Sequence, residues 1–201
     1  MDNRNKILEG AAELFRRYGI RAVTMDMIAT HLGVSKRTIY EIFSDKDELL
    51  AGVLSLMAEK QKILIKKILG ESENIIAAIF KLMEIHIEHI QSMSPGFFED
   101  MKKFHQEIAG TRGIKCEIPD YKNNRQAIER GVREKLFRKD INVDIVNRTL
   151  YNMMFSVMNN ELYPFEMFTR REVLKNTIVI YLKGIATPEG IELIQKLEKN
   201  L

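Results

Sequence analysis

The chain has 201 residues, 45% of them hydrophobic and 29% charged, which excludes a predominantly disordered protein and leaves enough apolar material for a buried core. A single cysteine, Cys116, excludes an internal disulfide framework and a cysteine-built zinc ribbon. The net charge of +3, from 31 Lys and Arg against 28 Asp and Glu, is too small to name a polyanionic partner by itself.

Helical periodicity starts at once. Ile7, Leu8, Ala11, Ala12, Leu14 and Phe15 recur at three- and four-residue spacing, with Asn3 or Asp2 as a cap and Gly19 as a stop. Short punctuated segments follow as far as Asp45. A long helix is expected over 48–69, opened by a capping box of Ser44 and Asp47 and closed by Gly70. The next pattern fits 73–91. Pro95, within Ser94-Pro95-Gly96, then opens a helix carrying Phe97, Phe98, Met101, Phe104 and Ile108. Gly110 and Gly113 flank a loop. Tyr121, Ile128, Val132 and Leu136 mark a further helix. Asn142 caps one running to Leu162, stopped by Pro164, and a last pair covers 171–185 and 188–197. The β-branched run at 178–182 sits inside a longer helical pattern. The expected fold is therefore all-α.

The first fifteen residues are charged and hold no apolar signal core, and no apolar run approaches the length of a bilayer. A cytoplasmic protein that does not engage a membrane is expected.

The stretch 23–50, VTMDMIATHLGVSKRTIYEIFSDKDELL, has the steric pattern of helix, tight turn and helix. Thr24 can cap the first helix and Ser35 the second. Ala29 is small where a second helix must approach, and Gly33 permits a left-handed turn. Ile28, Leu32, Val34, Ile39 and Ile42 supply the apolar contacts between the two helices. Lys36, Arg37 and Thr38 then fall on the first turn of the second helix, the end that enters the major groove in helix-turn-helix proteins. Lys and Arg can donate to guanine, and Thr can touch a thymine methyl or hydrogen-bond. Lys46 is placed to hold a phosphate. Tyr40 fits two roles, a buried aromatic or a hydroxyl facing phosphate.

Thr24, Ile28-Ala29, Leu32-Gly33-Val34-Ser35, Thr38-Ile39-Tyr40, Phe43, Lys46 and Leu49 together closely resemble the N-terminal domain of TetR-type transcriptional regulators. The resemblance covers about residues 5–50. It implies an all-α homodimer whose second motif helix reads double-stranded operator DNA, with residues 1–47 as the DNA-binding domain and 48–201 as a helical ligand-binding and dimerisation domain. It assigns phosphate contacts to Thr24, Tyr40 and Lys46, and groove-facing positions to Ser35, Lys36, Arg37 and Thr38. Two departures stand out: Arg37 occupies a position that is often small, and Ile42 one that is often aromatic or His.

The resemblance also implies that the helices at 143–162 and 171–185 pack against their copies. Leu150, Met153, Met154, Val157 and Met158, then Leu174, Ile178, Tyr181 and Leu182, are the apolar positions for this, and each also fits a simple core role. A pocket for a small apolar or aromatic effector is expected from Phe80, Met83, His86, Phe97, Met101, Phe104, Tyr151, Met154 and Phe155, with His86 and Tyr151 as polar anchors. The alternative is a body that binds a protein partner. His86, His89, His105 and Cys116 offer a metal-ligand set only by common spacing, so no metal and no cofactor are expected. No nucleophile triad, phosphate-cradling loop or carboxylate pair stands out, and the chain reads as a regulator rather than an enzyme.

Overall fold

The computed structural model describes residues 3–94, 96, 97, 99–101, 121–157 and 159–201; for 121–124 and 155 it describes the backbone alone. The expectations resting on Phe98, Phe104, His105, Ile108, Gly110, Gly113, Cys116 and Met158 fall outside the described residues. Among the described residues the chain is helical, with one isolated antiparallel bridge between Phe137 and Ala186.

The helices are α1 (Asn3–Tyr18), α2 (Met25–Leu32), α3 (Lys36–Tyr40), α4 (Lys46–Glu71), α5 (Ile75–Gln91), α6 (Tyr121–Arg133), α7 (Val143–Val157), α8 (Arg170–Leu174), α9 (Ile180–Ile185) and α10 (Pro188–Leu197). Residues 96, 97 and 99–101 are helical as well. Two compact units form: one takes the described residues within Met1–Gln61 and Gln91–Cys116, the other those within Lys62–Ile90 and Glu117–Leu201.

In the first unit α1 turns Ile7, Leu8, Ala11, Leu14 and Phe15 inward, onto Ile28 and Ala29 of α2, Ile39 of α3 and Phe43. Leu49, Leu50, Val53 and Leu54 of α4 join the same core, as does Phe97. Fully burying a side chain the size of Phe43 stabilises by about 2–3 kcal/mol. A methyl group added at Gly10 of α1 would come within 2.5 Å of the Leu32 side chain. The absence of a side chain at Gly10 is what lets α2 lie so close, a role the sequence reading gave only to Ala29.

The cap of α4 differs from the expectation. The Glu48 amide donates to Asp45 Oδ1 at 2.7 Å, while the Glu48 carboxylate accepts from both the Ser44 amide and the Ser44 hydroxyl at 2.7 Å. The cap is thus Asp45, one residue later than Ser44, and the carboxylate that reaches back is that of Glu48 rather than Asp47, onto Ser44 and not onto the cap's own amide. At the other end α4 passes through Gly70 to Glu71. Glycine costs a helix only about 1 kcal/mol and does not force a stop. Asn74 caps α5 by accepting from the Ala77 amide at 2.9 Å, and Glu134 accepts from the Ile75 amide at 2.7 Å.

The second unit centres on Ile75, Ile76, Phe80, Met83 and Ile87 of α5, with Ile128, Phe137 and Val146 against Leu174, Ile178, Val179, Leu182 and Ile194. Three expectations are corrected here. The α6 helix ends at Arg133 rather than reaching Leu136, because Lys135 takes a left-handed φ of 60° and the Leu136 amide turns back to the Gly131 carbonyl at 3.0 Å. The α7 helix ends at Val157, well before Leu162. Asn159 and Asn160 fold the chain there by accepting backbone hydrogen bonds from Glu161, Leu162 and Phe165. The buried Arg170 guanidinium donates to the carbonyls of Val157 and Tyr163, replacing the partners a longer helix would supply. Finally, the span 170–185 is not uniformly α-helical: Lys175–Val179 forms a π turn, which sets the adjacent Ile178 and Val179 both inward. No described helix is long and apolar enough to cross a membrane.

Candidate nucleic-acid interface

Two capped helices and a left-handed turn build the site. Thr24 adopts an extended conformation and its hydroxyl oxygen accepts from the Met27 amide at 3.2 Å, opening α2. Gly33 closes α2 at φ 65°, and the Val34 amide returns to the Ala29 carbonyl at 3.0 Å. A left-handed residue costs an ordinary side chain roughly 1–2 kcal/mol, so glycine is the residue this turn selects. Ser35 then caps α3, its oxygen accepting from the Thr38 amide at 3.0 Å and lying 2.8 Å from the Thr38 hydroxyl. Ile28, Ala29 and Ile39 are buried, so the opposite side of α3 is left outward.

Lys36, Arg37 and Tyr40 occupy that outward side and are exposed, and Ser35 and Thr24 are exposed with them, while Thr38 is half-buried. Of the two roles open to Tyr40, burial in the core is excluded by a relative exposure of 45%. Lys46 is half-buried at the start of α4, its ammonium 3.5 Å from the Arg21 carbonyl. Burial moves the Lys46 pKa down, against the attraction of Asp100 and then Asp47.

Each outward cation of α3 has an acidic neighbour. Lys36 Nζ donates to Asp26 Oδ2 at 2.7 Å, a hydrogen bond that raises the lysine pKa, and Arg37 Nε donates to Glu41 Oε1 at 3.0 Å. Such solvent-exposed pairs are worth about 0–1 kcal/mol, so a phosphate or a base edge can replace the carboxylate at little cost. Asp26, Glu41, Arg21 and Asp100 lie outside the motif positions that the sequence marks. Asp26 and Glu41 carry a faint signal in their helical setting beside the cations. Asp100 carries none, because the partner of its carboxylate is the Arg21 amide, 79 residues away.

The expected pocket residues are divided between the two units. Phe80 and Met83 are buried in the core of the second, and Met154, partly buried, packs against the same core. His86 and Tyr151 are half-buried there, and burial, followed by the neighbouring His89, holds the His86 pKa below the ordinary histidine value. Phe97 and Met101 belong instead to the core of the first unit, with Phe15 and Phe43. Phe155 is described by its backbone alone. No group of three or more His, Cys, Asp or Glu among the described residues is placed to hold a metal ion.

Residues 7–53 match the family model of bacterial regulatory proteins, tetR family. The HTH-type transcriptional regulator YhgD of Bacillus subtilis is 33% identical over 93 residues, 44% of this chain and 49% of that protein, so this match spans about half the length of the relative. The HTH-type transcriptional repressor KstR2 of Mycobacterium tuberculosis is 27% identical over 199 residues, covering 94% of each chain. Among solved structures, the TetR family protein CprB of Streptomyces coelicolor, in complex with its operator sequence, superposes with a TM-score of 0.62 at 21% identity, covering 98% of this chain and 97% of that one. These relatives are regulators and not enzymes. Residues 7–53 thus carry the N-terminal domain of the tetR family, and the comparisons support a DNA-binding transcriptional regulator of TetR type.

Proposed function

We propose that the protein is a homodimeric repressor that a small apolar or aromatic effector releases from its operator. The observation that carries this is the exposed set on α3: Lys36, Arg37 and Tyr40 stand outward on a helix whose other side is locked into the core by Ile39. Ser35, Lys36, Arg37 and Thr38 face the major groove, where Lys and Arg donate to base edges. Thr24, Tyr40 and Lys46 contact phosphate, which sets register and orientation without reading sequence. Similarity to KstR2, a repressor, supports repression rather than activation.

Dimerisation gives the reading head its second half-site. Ile145 on α7 and Ile180 on α9 are 62% and 58% exposed, and their helices are the ones expected to meet their copies. The apolar side chains of the second unit, Phe80 and Met83 among them, with His86 and Tyr151 half-buried, are the basis for an effector of low polarity. An effector that prefers one setting of the body opposes DNA binding by the same coupling free energy with which DNA opposes the effector.

Selection from a random duplex library tests this function. The expected consensus is an inverted repeat with half-sites separated by about one helical turn or a multiple of it. Enrichment of no consensus, or of a lone half-site, contradicts the dimeric reading.

A further inference from the structure

Asp100 is a buried acid, 8% exposed, in the core of the unit that carries the recognition helix. Its carboxylate is directed at the turn between α1 and α2. The Arg21 amide donates to Asp100 Oδ2 at 2.8 Å, and the Arg21 guanidinium lies 3.5 Å from Asp100 Oδ1. Gly19 reaches this turn at φ 85°, and a methyl group built on it would meet Asp100 Oδ2 at 3.2 Å and the Gly96 carbonyl carbon at 3.4 Å. The neighbouring backbone is held as well: the Ser94 amide donates to the Arg16 carbonyl at 2.8 Å, and the Phe97 amide, capped by Ser94, leads a buried ring into the same core. Ser94, Gly96 and Asp100 therefore clasp the segment from Arg16 to Arg21.

What the turn carries faces outward. The Arg21 side chain is 61% exposed, the Arg21 carbonyl lies 3.5 Å from Lys46 Nζ, and Thr24, three residues on, opens α2. We propose that Arg21 is a further phosphate-contacting residue, and that Asp100 is the positioning residue that holds the Arg21 turn, and with it Lys46, on the DNA-facing edge. The inference rests on the head's being the DNA-contacting surface. An exposed guanidinium donates bidentately to phosphate, and the Asp100 contact at 3.5 Å leaves its remaining N–H groups available. The hydrogen bond to the Arg21 backbone survives when the side chain swings to phosphate, so the acid fixes the position of the cation without having to give it up.

The test uses the full chain and a labelled mixed-sequence duplex of roughly 30 base pairs, followed by fluorescence anisotropy over a range of salt, where phosphate contacts dominate. Asp100→Asn and Asp100→Ala remove the same charge, but only the first keeps an acceptor for the Arg21 amide. Asp100→Ala is expected to bind about fivefold more weakly than Asp100→Asn, the worth of one such hydrogen bond. Arg21→Ala is expected to flatten the log–log salt slope by about one. Equal affinities for the two Asp100 variants, or an unchanged slope for Arg21→Ala, overturn the inference. Should Asp100→Ala prove unfolded by circular dichroism, the Arg21→Ala slope decides alone. Lys36→Ala/Arg37→Ala runs alongside: if it binds as the wild type does, the DNA-contacting role of the head fails, whereas a weakened double variant with matched Asp100 variants overturns the inference and leaves the DNA-contacting role of the head standing.

Discussion

The two units use their polar side chains in opposite directions. In the first, Thr24, Ser35 and Asp45 are spent on opening helices, which leaves Lys36, Arg37 and Tyr40 outward and loosely paired. In the second, the strongest polar contacts turn inward: buried Arg170 ties the end of α7 to the loop before α8, and Arg130 bridges Glu134 to the carbonyls of Leu69 and Ser72. A surface that must exchange partners is built from contacts worth little, and a scaffold from contacts that are expensive to remove.

The largest expected effect lies in the scaffold. Arg170→Ala strips the donors from the carbonyls of Val157 and Tyr163 and removes a guanidinium stacked 4.0 Å from the centre of the Phe165 ring. It should cost about 3 kcal/mol, read by urea denaturation, because buried acceptors are left unsatisfied. A loss below about 0.5 kcal/mol would erase the contrast between the units.

Thr24→Ala should have a smaller effect, confined to the head. Loss of the cap on α2 costs about 1 kcal/mol. Amide exchange within Met25–Leu32 should quicken while amides of α5 and α7 keep their protection. Equal acceleration in both units would show that the two are not separately stabilised.

The smallest effect concerns acid. His86 titrates below an ordinary histidine because it is buried beside His89. The unfolded chain therefore takes up the proton first, so stability is full above about pH 6.5 and declines as the pH falls through and below that value. His86→Gln should flatten this part of the profile of melting temperature against pH. A profile unchanged by the substitution would show that His86 is not desolvated as its position in α5 implies.

The head was legible because its signals are local. A cap, a small residue, a glycine and an apolar residue each act within one helical turn, so Thr24, Ala29, Gly33, Ser35 and Ile39 announce their geometry in order. Gly10 was missed because its purpose is the approach of Leu32, which is distant in sequence. The body's helices were legible by period, but their ends were not. Lys135 takes a left-handed conformation that glycine usually marks, and α7 stops where Asn159 and Arg170 intervene, the latter supplied from beyond the loop. The pocket residues were grouped by composition, which cannot distinguish Phe97 in one core from Phe80 in another.

The salt dependence of duplex binding tests the central claim most directly. From low to physiological salt, the wild type should lose affinity steeply, and Lys36→Ala/Arg37→Ala should bind roughly 30- to 100-fold more weakly with a slope shallower by about two. Both side chains are exposed, so the melting temperature should stay unchanged. A double variant with the affinity and slope of the wild type would contradict the assignment of α3 as the element that meets DNA.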